Sequence, residues 1–449
     1  MAKFVSTLEY DKIPLEVVSH VKKSILDSFG NMMGGLNSLE ATTVRNAVLE
    51  YDKTTDATII GTGRKVSVPH AALVNAVANE GSDFSACGAD ICMQTATVPA
   101  ALAVAEKEGL DGKRFLAAVI AGYELVFRVG MAIDNSTMRA LGFYPTGHCG
   151  PFGSAAATGK LLNLNVDQMT MAFGLAGSQA LGIHAYAAEG MRTKAIFCGK
   201  AAENGLTSCY MAKQGLPGPA WVMEAEDGGF MKCFSDQKFN LAETTHSLGE
   251  EFYSAYLDFK LFPCCHYTHA YIAATLDLVQ KEKLNPQDIK KIIAYVTKVQ
   301  TTTIAMPERY EPQSVMAAQF SLPYVVARAI KDRKVDLSTF TEEKIKDKET
   351  LELAKKMDFV RDPELEKKFG KYEGKDFTMP AKLTIITKKG KELTAQSIEP
   401  HPTSELLEEK FSSQARGILP DSKVSKIISI IEKLEELKDI NDLIELTRN

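Results

Sequence analysis

Three segments hold most of the side chains that could do chemistry, and they are residues 142–150, 191–200 and 260–269. In each, cations or imidazoles lie among glycine, alanine and cysteine. This combination suits an anionic small molecule, because ammonium and guanidinium groups bind carboxylates directly. The side chains in question are His148, Arg192, Lys194, Lys200, Lys260, His266 and His269.

Lys194 follows Arg192 by two positions, in a stretch predicted to be a loop between apolar helices. A lysine in a sheltered pocket can act as a base, whereas an arginine keeps its charge and grips a carboxylate through two N–H groups. The spacing is equally typical of two solvated surface cations. If Lys194 is a base, we expect Lys194→Ala to lose at least about a hundredfold in turnover, with little change in melting temperature.

His148 lies at the predicted start of a helix and could exchange protons near neutral pH, and a structural histidine is the alternative. His266 and His269 would share one face of a helix, a spacing too common to define a site. Asp83 follows a predicted helix. Its carboxylate could act as a base or orient a histidine, or it could cap the loop.

The elements that must position these groups are mostly helical from residue 13 to about 256. One buried helix face is predicted from apolar residues repeating at three and four positions, namely Val17, Val18, Val21, Ile25, Leu26 and Phe29. Several later helices are rich in alanine and glycine. No glycine lies in a phosphate-loop or dinucleotide-binding frame, so close helix packing is the favoured interpretation.

The periodicity changes after residue 260. Residues 290–298 are rich in β-formers, and residues 381–387 and 393–398 alternate around a predicted turn at 388–391. After His401 the pattern becomes helical again. The predicted fold is therefore mainly α with an α+β part. A large helical domain is built from both chain ends, residues 1–265 and 399–449, and a smaller α+β domain is inserted at 266–398.

Composition excludes several classes of function. A net charge of −5 and the absence of a long run of like charges argue against nucleic-acid binding. The apolar stretch 115–133 contains Glu124 and Arg128, so we expect a buried helix and no membrane contact. The eight cysteines form no CxxC pair and no HExxH motif occurs, which favours reduced thiols without a metal.

Taken together, these segments resemble the MmgE/PrpD family, whose members include 2-methylcitrate dehydratase, cis-aconitate decarboxylase and iminodisuccinate epimerase. The likeness runs nearly end to end. It includes the helix from Pro14 to Gly35, Thr193-Lys194 with Gly199-Lys-Ala-Ala202, Phe262-Pro-Cys-Cys-His-Tyr-Thr-His269 and Gln319-Phe-Ser-Leu-Pro-Tyr324. The order and spacing of the motifs are specific, although no single one is diagnostic.

The resemblance implies a helical domain with a smaller α+β domain, proton transfer next to a carboxylate of a small di- or tricarboxylate, no metal or organic cofactor, and a homodimer. We expect a cytoplasmic protein. Carried over residue by residue, Asp83 matches the first aspartate of the family's Asp-Phe-Asp-Asp-Thr-x-His region. Lys194 matches the active-site lysine, Lys260 a cation before Phe-Pro, and Tyr324 an active-site tyrosine.

The chain departs from the family pattern in three places. After Asp83 it reads Phe-Ser-Ala-Cys where members show Phe-Asp-Asp-Thr, and the expected histidine near Cys92 is absent. Tyr144 stands where many members have a histidine, and His148 is a possible replacement. These losses count against ordinary 2-methylcitrate dehydration, because a dehydratase must protonate a departing hydroxide. Epimerisation needs only removal and return of a proton.

We interpret the chain as a lyase, a dehydratase or decarboxylase acting on a small polycarboxylate. An epimerase or isomerase of a small dicarboxylate, such as an iminodisuccinate-like acid, is the close alternative. A catalytically inactive binding or scaffold protein is the third. The acid–base candidates are Lys194, His148 and Tyr144, with Asp83 orienting them. The substrate-binding candidates are Arg192, Lys200, Lys260, His266 and Tyr324.

Overall fold

A computed structural model describes residues 1–133, 135–186, 190–373, 376–398 and 401–448, without the side chains of residue 136 and of residues 371–373, 376 and 377. The chain divides into two compact units. The first comprises Met1–Tyr186, Arg192–Phe259 and Thr403–Asn449, and the second Ala187–Met191 and Lys260–Pro402. The predicted fold class, a helical domain from both chain ends plus a smaller α+β domain, is confirmed.

The first unit consists almost entirely of helices. Its α-helices are Ala2–Thr7, Leu15–Gly34, Leu39–Tyr51, Val68–Glu80, Gln94–Glu108, Gly112–Ile133, Asn135–Ala140, Pro145–Leu161, Val166–Gly177, Lys194–Lys213, Phe230–Ser235, Ser404–Ala415, Asp421–Glu432 and Asn441–Leu446. Short 3₁₀ turns lie at Tyr10–Lys12, Leu241–Thr244, Tyr253–Tyr256 and Leu434–Glu436. Strands Ala57–Ile59 and Arg64–Val66 form a small antiparallel hairpin.

Small residues let the central helices of this unit approach closely. A Cβ built on Gly153 would lie 2.2 Å from Val126, and one on Gly205 would lie 2.3 Å from the carbonyl oxygen of Pro151. Such distances are far below van der Waals contact, so only glycine fits there. The contacts support close packing as the role of these glycines.

The helix Gly112–Ile133 is long and apolar enough to cross a membrane, but its most apolar stretch is 94% buried inside the protein. Between Phe115 and Ile133 the helix carries two charged residues, Glu124 and Arg128, and they pair with each other. Arg128 lies 3.3 Å from Glu124, and Glu124 accepts hydrogen bonds from the backbone N–H groups of Tyr253 and Ser254. A long apolar helix with a paired buried charge is typical of a protein core.

The second unit contains a four-stranded mixed sheet. Its strands run in the order Met357–Arg361, Ile289–Val296, Ala381–Thr387 and Glu392–Ser397. The first two are parallel and the other pairs antiparallel. A further strand pair is formed by Lys371–Glu373 and Asp376–Thr378. The helices are His269–Glu282, Lys298–Thr301, Val315–Gln319, Leu322–Asp332, Lys348–Ala354 and Pro363–Lys368, and 3₁₀ turns lie at His266–Thr268, Pro286–Asp288, Pro307–Tyr310, Leu337–Thr339 and Lys344–Lys346.

Local patterns explain this unit. The alternation around residues 388–391 produces the antiparallel pair Ala381–Thr387 and Glu392–Ser397. The helical pattern expected over 314–331 is divided, because Ser321 begins a new helix by accepting a hydrogen bond from the N–H of Tyr324. The predicted boundaries of the inserted domain are 266 and 398, whereas the structural unit starts at Lys260, ends at Pro402 and also includes residues 187–191.

Candidate active site

The ammonium of Lys194 lies between two carboxylates in the first unit. It contacts Glu80, and its Nζ is 2.5 Å from Oδ1 of Asp83. The exposed fraction of the side chain is 11% for Lys194, 1% for Glu80 and 7% for Asp83. Burial with this geometry makes the group a charge cluster shielded from solvent. With all three groups ionised, the cluster carries one net negative charge.

Two helix ends bring this cluster together. Lys194 is the first residue of the helix Lys194–Lys213, and Glu80 is the last residue of the helix Val68–Glu80. A cation at a helix N-terminus and an anion at a C-terminus are each disfavoured by the helix dipole, by roughly 0.3–1 kcal/mol. Breaking a buried ion pair costs more, about 3–5 kcal/mol. The pairing therefore outweighs both unfavourable positions. The prediction that Lys194 lies in a loop was wrong, because Lys194 begins a helix.

The pKa of Lys194 decides its protonation. Burial acts to lower that pKa, but the carboxylates of Asp83 and Glu80 outweigh burial and raise the pKa of Lys194 well above its ordinary value. The side chain is consequently an ammonium ion at neutral pH. A base role for Lys194 in the resting protein does not fit this environment, and its chemistry is that of a fixed positive charge or a proton donor.

Tyr144 lies beside the ammonium. Its ring centroid is 5.9 Å from Nζ of Lys194, and its hydroxyl is 3.9 Å from Sγ of Cys198. Burial and the neighbouring Cys198 raise the pKa of the Tyr144 phenol well above its ordinary value, against the opposing effect of Lys194. The phenol therefore keeps its proton at neutral pH and can serve as a proton donor.

His148 follows Tyr144 by one turn of the helix Pro145–Leu161. Its Nδ1 is 3.0 Å from the carbonyl oxygen of Tyr144. A carbonyl only accepts, so Nδ1 carries the hydrogen and Nε2 carries the lone pair. Burial lowers the pKa of His148, although the bond to Tyr144 partly opposes this. His148 is thus a neutral imidazole with a basic Nε2, packed against Phe143 and Phe234.

The loop that carries Asp83 is fixed from several sides. Asp83 has a left-handed backbone (φ 51°), which aspartate tolerates better than most residues. The hydroxyl of Ser85 donates to the carbonyl oxygen of Asn79 over 2.8 Å. The buried ammonium of Lys410 donates to the carbonyl oxygen of Phe84 over 2.7 Å and is 2.6 Å from Asp27. The residue after Asp83 is therefore held by a helix near the end of the chain.

Two other predicted residues of the first unit have different surroundings. Arg192 is partly buried, and its NH1 is 3.2 Å from a carboxylate oxygen of Glu40. Lys200 lies on the helix of Lys194, but its side chain is 40% exposed and pairs with Glu203 at 2.5 Å. Arg192 thus remains a candidate for carboxylate binding. Lys200 forms a surface ion pair, and we leave Lys200 out of the proposed site.

The remaining predicted residues lie in the second unit, where Lys260 and His266 are buried. The ring of His266 is 5.2 Å from that of His269, but the two residues do not share a regular helix, because His266 lies in a 3₁₀ turn. Tyr324 is fully buried, and its hydroxyl donates to the carbonyl oxygen of Thr339 over 2.7 Å. That hydroxyl is occupied within its own unit, so we do not assign it to substrate.

Sequence reasoning missed Glu80 and Cys198. A glutamate as the last residue of an apolar helix opposes the helix dipole, and this was the available signal for Glu80. Cys198 follows Lys194 by four positions and so lies on the same helix face. Within the part of the chain that the structure describes, no three histidine, cysteine or acidic side chains are placed to hold a metal ion.

Comparison with known proteins identifies the family of this chain. The sequence model of the MmgE/PrpD N-terminal domain matches residues 1–242, and that of the MmgE/PrpD C-terminal domain matches residues 262–436. The chain belongs to the MmgE/PrpD family. The resemblance noted in its motifs is thereby confirmed.

Three of the similar curated proteins are named cis-aconitate decarboxylase. The chain is 28% identical over 374 residues to cis-aconitate decarboxylase of Aspergillus terreus, covering 79% of this chain and 76% of the relative. It is 26% identical over 418 residues to the Mus musculus enzyme of that name, which covers 88% of this chain and 80% of the relative. It is 29% identical over 371 residues to the Homo sapiens enzyme of that name, which covers 78% of this chain and 73% of the relative. Membership and these relatives support an enzyme of the lyase type.

Proposed function

We propose that the protein is a lyase that decarboxylates a small unsaturated tricarboxylate of the cis-aconitate kind, without a metal or an organic cofactor. The observation that carries the proposal is the buried Lys194 ammonium beside the protonated phenol of Tyr144. The names of the relatives supply the substrate class. Family membership alone does not give the reaction, because dehydratases belong to the same family.

The chemistry defines what the site must provide. In cis-aconitate a carboxymethyl arm is attached to one carbon of a carbon–carbon double bond. When that carboxylate leaves as carbon dioxide, its electron pair forms a new double bond to the attached carbon. The electron pair of the old double bond then takes up a proton at the far carbon. The site must therefore stabilise transient negative charge and deliver one proton to carbon.

We assign proton delivery to Tyr144. A phenol with a strongly raised pKa keeps its proton until a strong base, such as a carbanion, takes it. The phenolate left behind is stabilised by Lys194, whose positive charge already acts to lower the pKa of Tyr144. His148, a neutral base one helical turn away, is the candidate to restore the proton, with Nε2 first taking a proton from solvent and then passing it to the phenolate.

The same cluster has a role in holding substrate. Lys194 provides a fixed positive charge, and its position is set by Glu80 and Asp83. Arg192 is the further carboxylate-binding candidate, because its described bonds to Glu40 use one of three guanidinium nitrogens. Its fork of donors matches a carboxylate geometrically.

The experiment that tests the proposal is proton NMR in deuterated water with cis-aconitate. We expect release of carbon dioxide and an unsaturated dicarboxylate with one deuterium at the carbon that was protonated. A hydroxy-tricarboxylate and an iminodisuccinate-like acid serve as comparison substrates. Loss of water from the former would favour a dehydratase. Deuterium exchange at a stereocentre without carbon dioxide would favour an epimerase.

A matched pair of tyrosine variants locates the proton donor. We expect Tyr144→Phe to lose about 10²- to 10⁴-fold in turnover, the usual contribution of a positioned acid–base group. Tyr324→Phe is the control, because it removes a buried hydroxyl outside the cluster. Equal losses in both variants would contradict the assignment. Binding of cis-aconitate without any turnover would favour a binding or scaffold protein.

A further inference from the structure

Cys87 and Cys92 face each other across a tight turn directly after the Asp83 loop. Gly88 and Ile91 exchange two backbone hydrogen bonds of 2.9 Å. Between them Ala89 (φ 49°) and Asp90 (φ 59°) both have left-handed backbones. Two central residues with positive φ are the requirement of a type I′ hairpin turn. Left-handed alanine is uncommon, so the surrounding structure must hold this turn in place.

The hairpin places the two cysteines in the geometry that a disulfide requires. Gly88 and Ile91 form the hydrogen-bonded pair, so Cys87 and Cys92 take the next position outward, where a regular hairpin has a non-hydrogen-bonded pair with Cα atoms about 4.5 Å apart. That separation falls within the range of about 4.4–6.8 Å found for disulfides. Consistently, the backbone of Cys87 pairs on its other side with Asp258, and the two Sγ atoms are 2.8 Å apart.

Both thiols lie next to the candidate active site. Asp83 precedes Cys87 by four residues in the same loop, and the N–H of Cys92 donates to the hydroxyl of Thr146, two residues after Tyr144. Cys87 and Cys92 are buried but keep 7% of their surface exposed, whereas Cys149, Cys198 and Cys209 of the same unit have none exposed. A small oxidant therefore meets Cys87 and Cys92 before those three thiols.

We propose that Cys87 and Cys92 form a reversible dithiol–disulfide site for a small hydroperoxide, and that the disulfide lowers turnover at the Lys194 cluster. The effect on turnover rests on the proposed function, but the oxidation does not. A disulfide would tie the loop of Asp83 to the segment anchored at Thr146. It would also consume the thiol proton of Cys92. Either change alters the surroundings of Lys194 and Tyr144.

The reaction balances with hydrogen peroxide as the oxidant. One thiolate attacks a peroxide oxygen, the O–O bond breaks, and the departing hydroxide takes a proton and leaves as water, giving a sulfenic acid. The second sulfur then attacks the first, the S–O bond breaks, and the hydroxide leaves with the second thiol's proton as water. Two thiols are oxidised to one disulfide, and one peroxide is reduced to two waters.

The test uses the full chain carrying Cys233→Ser, because Cys233 is exposed and would otherwise react independently. The protein is treated with about one equivalent of hydrogen peroxide, alkylated and digested with trypsin. No lysine or arginine lies between Lys65 and Lys107, so Cys87 and Cys92 fall in one peptide with no other cysteine. We expect that peptide to lose two hydrogens, to resist alkylation, and to regain both thiols with dithiothreitol. A peptide that stays fully alkylated would overturn the proposal.

Turnover of cis-aconitate is measured on the same samples. Oxidation should lower turnover by at least about tenfold, with recovery in dithiothreitol, and Cys87→Ser should keep its activity under peroxide. A disulfide that forms without changing turnover would overturn the regulatory role. If the untreated protein shows no turnover, the proposed function fails while the peptide mass still tests the disulfide. The two failures are thereby distinguishable.

Discussion

Lys410 donates a hydrogen bond from its buried ammonium to the backbone carbonyl oxygen of Phe84, over 2.7 Å. Phe84 is the residue after Asp83, which pairs with Lys194. The ammonium also lies 3.7 Å from the ring centroid of Phe84 and 2.6 Å from Asp27. A lysine from the last part of the first unit thus positions the loop that carries the catalytic aspartate candidate.

We expect Lys410→Met to lower turnover, because the Phe84 carbonyl loses its donor and the Asp83 loop loses its support. The variant also leaves Asp27 as an unpaired buried charge, which lowers the free energy of unfolding by about 3–5 kcal/mol. Steady-state kinetics and thermal unfolding measure the two effects. Lys426→Met, a change of an exposed lysine in the helix Asp421–Glu432, is the matched control.

The double variant Lys410→Met with Asp27→Asn separates positioning from stability. Removing both charges should recover much of the lost stability, since no unpaired ion remains. Turnover should stay low, because the Phe84 carbonyl still lacks the ammonium. Recovery of turnover together with stability would show that Lys410 acts on stability alone.

Lys194→Met should lower turnover by at least about a hundredfold, since the site loses its fixed positive charge. It should also destabilise the protein by about 3–5 kcal/mol, because Glu80 and Asp83 lose the buried ammonium between them. This replaces the expectation of an almost unchanged melting temperature. Lys200→Met on the same helix is the control and should change neither quantity much, since exposed ion pairs contribute roughly 0–1 kcal/mol.

The pH dependence of stability should reflect the raised pKa of Lys194. A raised folded-state pKa gives stability that is fully present below the unfolded-state value of about 10.4 and is lost as pH rises through the folded-state value. Wild-type protein should therefore lose stability in the alkaline range more steeply than Lys194→Met. Identical alkaline unfolding curves for the two proteins would contradict the cluster geometry.

The lowered pKa of His148 gives a prediction for turnover. If Nε2 accepts a proton, the imidazole must be neutral, so activity should fall only below the ordinary histidine pKa of about 6.5. The measurement is a pH–rate profile of wild type and His148→Gln. A loss of activity already beginning above pH 7 and absent from His148→Gln would place the pKa of His148 above its ordinary value, against the burial described here.

Binding of a tricarboxylate should be coupled to proton uptake. The carboxyl groups of Glu80 and Asp83 lie against the Lys194 ammonium, and in their ionised forms they repel a polyanion that binds there. Protonation of one carboxyl group removes that repulsion. Titration calorimetry in buffers with different ionisation enthalpies should show uptake of up to about one proton per site. Asp83→Asn should show less uptake, and equal uptake in both proteins would be evidence against this coupling.

We also predict a homodimer, on the strength of the family resemblance and of the Ala/Gly-rich helices. Light scattering at micromolar concentration should give a mass near twice that of the 49.1 kDa chain. A mass equal to one chain under those conditions would refute the prediction.

The fold was largely predictable because it depends on local periodicity. The apolar face of the helix Leu15–Gly34 and the alternation on either side of residues 388–391 are properties of short stretches. The family motifs then led to Asp83 and Lys194, which the structure places in direct contact.

The protonation of the site was not predictable from those residues. Whether Lys194 is a base depends on Glu80, which is distant in sequence and becomes its neighbour only through the packing of two helix ends. The same holds for Cys87 and Cys92, whose spacing matches no motif. Their contact requires a turn with two left-handed residues, and neither alanine nor aspartate predicts that turn strongly.

The helix Ser404–Ala415 has a further consequence for how the protein is made. Its Phe411 and Gln414 pack against Gly30 and Gly34 of the helix Leu15–Gly34. During translation this surface of the early helix emerges first, and the entire second unit is synthesised before its partner leaves the ribosome. Until the helix Ser404–Ala415 is synthesised, the surface around Gly30 and Gly34 therefore stays uncovered in the nascent first unit. Synthesis of the helix Ser404–Ala415 is the event that completes both this part of the core and the support of the Asp83 loop.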